Sequence, residues 1–120
     1  MAIELIVTDG SVRATTAAGA VTQSITQAID VSKGDQADLI LQVVAVEGAV
    51  TAFVVSIITG MTLESEDAWV EVATYSNNTT APLAEKKNFA GLAKYIRWKV
   101  KTIVGGTAVT FSIRGMLRNN

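Results

Sequence analysis

The chain has 120 residues, of which 49% are apolar and 18% charged, and its formal net charge is −1. It contains neither cysteine nor histidine, which excludes a disulfide framework, a thiolate nucleophile, zinc sites of the Cys/His type and the Ser-His and Cys-His couples. The most apolar window, Ala49 to Met61, is interrupted by Thr51, Ser56 and Thr59 and is shorter than the roughly 20 residues of a membrane-spanning helix.

Ile3, Leu5 and Val7 alternate with Glu4, Ile6 and Thr8, a first strand that stops at the turn signal Asp9-Gly10. Ser11 to Ala20 is small and polar and reads as a short edge strand and loop. From Val21 to Val31 the β-branched residues favour strand over helix, and Lys33-Gly34-Asp35 is the next turn. Ala37 to Val46 is apolar on both faces: Leu39, Leu41, Val43 and Ala45 lie on one side, Ile40, Val44 and Val46 on the other. Thr51 to Thr59 has the same character, and the two runs, joined through Glu47-Gly48, read as a hairpin whose double apolarity calls for cover by the fold or by a partner. Thr62 to Asp67 is an acidic loop, Ala68 to Tyr75 a strand, Ser76 to Pro82 a loop and Lys86 to Phe89 a short strand. No basic segment precedes an apolar run at the N-terminus, so no targeting segment is read, and Arg118-Asn119-Asn120 is a polar tail.

The clearest alternation runs from Tyr95 to Val104 and from Thr107 to Leu117, around Gly105-Gly106. A Gly-Gly pair supplies the positive φ angles of a two-residue hairpin turn. In that register Val104 faces Thr107, Val100 lies opposite Phe111 and Trp98 opposite Ile113 on one face. Arg97 then faces Arg114 on the other face, together with Lys99 and Lys101.

Eight or nine short strands at this spacing, without helical periodicity, indicate an all-β chain forming a single domain, an antiparallel β-sandwich, with a jelly roll among its arrangements. The first 25 residues form an N-terminal arm or an edge strand.

Charge is divided along the chain. Ten of the 11 acids lie between Met1 and Glu71, and eight of the ten bases between Lys86 and Arg118. The basic set, with Arg97, Lys99, Lys101 and Arg114 beside an out-of-phase Tyr95, is the candidate interface. It lacks the aromatic interleaving of single-strand nucleic-acid binders, and the overall pI is about 5.3, so acidic protein surface is the partner it fits. Glu64, Glu66 and Asp67 lack the spacing of a calcium loop. Trp69, Tyr75, Tyr95 and Trp98 could form a sugar-stacking platform, although Trp98 alternates in phase with core residues. Asn77-Asn78-Thr79 and Asn78-Thr79-Thr80 match glycosylation sequons. A mean hydropathy of +0.36 fits either an associating protein or a sheet-rich domain with few long loops.

From about Asp30 to Gly115 the chain resembles small β-sandwich structural proteins of tailed bacteriophages. The matching text is Ala28-Ile29-Asp30-Val31 leading to Ala37-Asp38-Leu39-Ile40-Leu41, then Val44-Ala45-Val46-Glu47-Gly48 and Met61-Thr62-Leu63-Glu64-Ser65-Glu66-Asp67-Ala68-Trp69-Val70. It ends with Leu92-Ala93-Lys94-Tyr95-Ile96-Arg97-Trp98-Lys99-Val100 and Ala108-Val109-Thr110-Phe111-Ser112-Ile113-Arg114-Gly115. The first 25 residues fall outside the resemblance. It implies a virion component assembled in the host bacterial cytoplasm, a head-decoration or capsid-cement protein contacting the major capsid protein or other virion proteins. It further implies a homo-oligomer with no catalytic residue, cofactor, metal, nucleic acid or membrane. A tail or head–tail connector component, and a carbohydrate-binding module, are the alternatives.

Overall fold

Period-two alternation with few helix-favouring runs leaves most of the backbone needing partners in a sheet. The computed structural model, which describes residues 2–118, satisfies it with ten antiparallel strands. They are β1 (Ala2–Ile6), β2 (Val12–Thr15), β3 (Val21–Thr22), β4 (Ile29–Asp30), β5 (Gln36–Glu47), β6 (Val50–Gly60), β7 (Trp69–Thr74), β8 (Leu83–Ala90), β9 (Tyr95–Gly105) and β10 (Ala108–Arg118). Single 3₁₀ turns lie at Ile25–Gln27 and Glu66–Ala68. The tail residues Asn119 and Asn120 lie outside the described residues.

Two sheets face each other. In the front sheet the order is β1-β10-β5-β8, with β2 also on β10; in the back sheet it is β3-β9-β6-β7, with β4 also on β9. The partnerships nest: β6 with β7, β5 with β8, β9 with β3 and β4, β10 with β1 and β2. The chain is therefore one long antiparallel hairpin, folded back at the turn after Gly60 and rolled across both sheets, which is a jelly roll. The first 25 residues supply edge strands to both sheets.

Inward side chains fill the space between the layers. Phe53, Phe89, Phe111, Leu39, Leu41, Ile57, Ile96 and Ile113 are fully buried. Phe111 stands between Phe53, at 5.5 Å, and Trp98, at 5.4 Å and edge-on, joining the sheets through rings. Such pairs add about 0.5–1.5 kcal/mol beyond the area they bury.

The hairpin expected at Gly105-Gly106 does not form. β9 pairs with β6 and β10 with β5, so Trp98 lies beside Ile57, and Ile113 beside Leu41. Gly105 and Gly106 have the positive φ that a turn requires, but they carry the chain through the thickness of the sandwich. The run β5–β6 makes the same crossing at Gly48-Ala49 and is likewise not a hairpin. The crossings stack: Thr107 N donates to Glu47 O at 2.7 Å, and a Cβ on Gly48 would lie 2.9 Å from Gly106 Cα. In-sheet pairing and facing across a core both send alternate side chains to one interior, so alternation alone does not choose between them.

The expected strand from Val21 to Val31 is interrupted. Gln23 occupies the break, and Ser24 caps the 3₁₀ turn that follows. β8 begins three residues before the expected Lys86.

Candidate interaction surfaces

β9 places its even-numbered residues Ile96, Trp98 and Val100 inward, so Arg97 and Lys99 emerge on the outer face of the back sheet. Arg97 is nevertheless buried, at 2% exposure. Its guanidinium forks onto Glu66, with Nη1 donating to Oε1 at 2.9 Å and Nη2 to Oε2 at 3.3 Å. Nε donates to Gln23 O at 2.8 Å, and the plane stacks 4.8 Å from the Trp69 ring. Trp69 can lie there because its register neighbour on β6 is Gly60, where a Cβ would meet the indole at 2.8 Å. Arg97 is thus no part of an open basic patch: it fastens the β6–β7 turn and the segment before the first 3₁₀ turn to the back sheet.

The other candidate residues do not gather on one face. Lys101 bonds Glu71 at 2.9 Å, and that hydrogen bond, outweighing some desolvation, holds the Glu71 carboxyl below its ordinary range. Lys99 lies half-buried beside Ser56 and Thr22. Tyr95 is half-buried beneath Lys94, whose ammonium sits 5.4 Å from the ring. Arg114 is on the front sheet, exposed between Ile6 and Ile40, and never meets Arg97. Asp38, on the same outer face, bonds Asn88 and Arg118, and these contacts hold its carboxyl low.

The charge division is largely explained within the molecule. A rolled hairpin sets the early arm against the late one, so Asp38 meets Arg118 and Glu66 meets Arg97.

The four aromatics do not make a stacking platform. Trp98 and Tyr75 are core residues, at 7% and 2% exposure. Tyr75 donates its hydroxyl to Leu39 O at 2.9 Å and sits edge-on to Phe89. Asn78 is buried and donates to Glu85 at 3.0 Å, while Asn77 accepts from Phe53 N at 2.8 Å. Both sequon asparagines thereby pin the loop before β8.

Where the edges of β1–β2 and β3–β4 approach, a cleft of about 530 Å³ opens, with Ile6, Val12, Ile29 and Trp98 among its walls and Asp9 and Gln27 in its lining. Its buried polar floor is already engaged. Gln23 Nε2 donates to Val7 O and Gln27 O, Gln23 Oε1 accepts from Trp98 N, and Thr8 Oγ1 donates to Gly10 O and accepts from Ile113 N. Gln23 closes the seam between the sheets, a role that a glutamine in a run of threonine and serine residues gave no sign of.

The outer face of the front sheet mixes exposed apolar and charged groups. Ile6, Arg114, Ile40 and Lys86 stand side by side on four adjacent strands, with Met116 in the next outward row. Ile6 is 56% exposed, Val44 48%, Ile40 41% and Met116 40%. The double apolarity of β5 announced this face; the contribution of β1 lay hidden in a short N-terminal strand. Comparison with family models, with curated proteins and with solved structures finds no match to this chain.

Proposed function

We propose that this chain is a non-enzymatic structural subunit of a phage particle, stabilising the outer capsid surface by bridging neighbouring capsomers. The observation that carries the reading is the outer face of the front sheet, where the isoleucines of β1 and β5 and Met116 stand in solvent among charges. A face of this kind suits contact with protein. The jelly roll is compatible with the role, but folds host many functions, so the face and the resemblance of residues 30–115 bear the weight. The buried polar groups of the cleft beside Gln23 bond one another and do not converge on a reacting atom, which favours a scaffold over catalysis.

The test is co-sedimentation of the purified protein with assembled phage capsids lacking their decoration, alongside isolated major capsid protein and tails. Saturable binding to capsids, weakened by Ile40→Asp, is expected. Binding to tails or connectors alone would replace the reading with the tail alternative. No binding to any particle, with retention on an oligosaccharide column, would replace it with a carbohydrate-binding one.

A further inference from the structure

The front-sheet face has a counterpart elsewhere on the same molecule. In the β6–β7 turn Met61 is 68% exposed and Leu63 43%. Just beyond them Glu64 and Asp67 are exposed and make no ion pair among the described residues. The turn has a defined shape. Thr62 Oγ1 accepts from Glu64 N at 3.1 Å, Ser65 Oγ accepts from Asp67 N at 3.2 Å, and Glu66 is anchored to the buried Arg97. A turn held this way presents its apolar pair and two free carboxylates at little further ordering cost.

The front-sheet face offers the complement. Arg114 is exposed and has no ion pair among the described residues, with isoleucines as register neighbours on both sides. Lys86 follows across Ile40. Of the two acids one outward row away, Asp38 is taken by Arg118, and Glu4, exposed beside Met116, makes no ion pair with Arg114. The face therefore combines exposed aliphatic groups with an unanswered guanidinium, and the turn combines exposed aliphatic groups with unanswered carboxylates. They belong to opposite sheets, so the turn does not reach the face of its own molecule.

The geometry points to the β6–β7 turn of one molecule docking on the outer front-sheet face of a second copy. Met61 and Leu63 pack against Ile6, Ile40 and Met116, and Glu64 and Asp67 face Arg114 and Lys86. The contact joins two different surfaces, so it is heterologous and propagates into a ring or an open chain. It goes beyond the capsid reading and holds or fails for the free protein.

Sedimentation velocity over a concentration series tests it, with Arg114→Glu and Glu64→Lys/Asp67→Lys as variants. All these positions are exposed, and an unchanged unfolding midpoint verifies the fold of each variant. The wild-type chain should self-associate, more weakly as salt screens the charges. Each variant should dissociate at least about tenfold more readily, because like charges now oppose each other in the contact. Mixing the two should restore association, since each retains the half that the other has lost. A wild-type chain that stays monomeric up to millimolar concentration overturns the proposal. So does an Arg114→Glu variant that associates as the wild type does, or a mixture no tighter than its components.

Discussion

Arg97 and Glu66 share one forked ion pair but stand in unequal surroundings: the Arg97 side chain is 3% exposed and that of Glu66 63%. The arginine cannot be rehydrated without lifting Trp69, whereas the carboxylate already touches water. Truncating the buried partner also strands Gln23 O and opens a gap beneath the indole. Arg97→Ala should cost about 3 kcal/mol in urea denaturation, through the unpaired carbonyl and the gap it leaves. Glu66→Gln keeps a hydrogen-bond acceptor but leaves the buried guanidinium without its counter-charge, and should cost about 2–3 kcal/mol. A loss below about 1 kcal/mol for both variants would place the guanidinium in solvent.

Trp98 fills the layer between the sheets against Phe111. Trp98→Ala should destabilise by about 3–5 kcal/mol through lost burial and the cavity left behind. The seam beside it is held by Gln23, so Gln23→Ala should destabilise as well, by about 1–3 kcal/mol, through the groups of Val7, Gln27 and Trp98 that it leaves unpaired. If Trp98→Ala lost less than about 1 kcal/mol, the indole would have to lie on the surface, and a sugar-stacking role for it would return.

How much of this was legible in the chain depends on which physical signal each feature leaves. Period two gave the inward set Ile96, Trp98, Val100, Phe111 and Ile113 correctly, because core side chains must alternate however the strands pair. It did not give the partners. Trp98 and Ile113 share an interior across the sandwich thickness, a relation that leaves the same pattern as lateral pairing. The glycine pair marked a positive-φ turn but not the plane in which the chain turns. Arg97 looked like its neighbours Lys99 and Lys101 because nothing local reports that Trp69 and Glu66 fold over one of the three. Pairing of the two charge blocks follows from the nested topology and could be read only once that topology was in hand.

Gly115 sits in β10 between Leu5 of β1 and Leu39 of β5. A Cβ there would run into the backbone carbonyl of Asp38, a rigid part of the neighbouring strand. Gly115→Ala must therefore separate β10 from β5 locally and should cost about 1–3 kcal/mol or more, as overpacking does. Gly10→Ala serves as the control, because a Cβ there meets nothing within 4 Å and only the left-handed backbone, φ 75°, is strained. A smaller loss at Gly115 than at Gly10, by thermal or urea unfolding, would contradict the register of β5 with β10.

The dependence of stability on pH should show two limbs around a flat centre. Asp38, Glu47 and Glu71 are held below their ordinary carboxyl values, chiefly by hydrogen bonds from Asn88, Arg13 and Lys101 respectively. A depressed carboxyl stabilises the fold above its unfolded value, and that contribution is lost as pH falls through the folded one. The acid limb should thus begin near pH 4 and deepen below it. No histidine is present to titrate near neutrality. On the alkaline side burial pushes the Tyr75 hydroxyl upward, with the Glu85 charge adding to the effect. The folded chain keeps that proton where the unfolded chain releases it, at about pH 10. Stability should therefore fall as pH rises above about 10. Tyr75→Phe loses the bond to Leu39 O and should cost about 1 kcal/mol at neutral pH. It also removes the buried hydroxyl, so its alkaline limb should be shallower than that of the wild type. Urea midpoints measured between pH 3 and pH 11 for both proteins decide the matter, and parallel alkaline limbs would show that Tyr75 is not the group responsible.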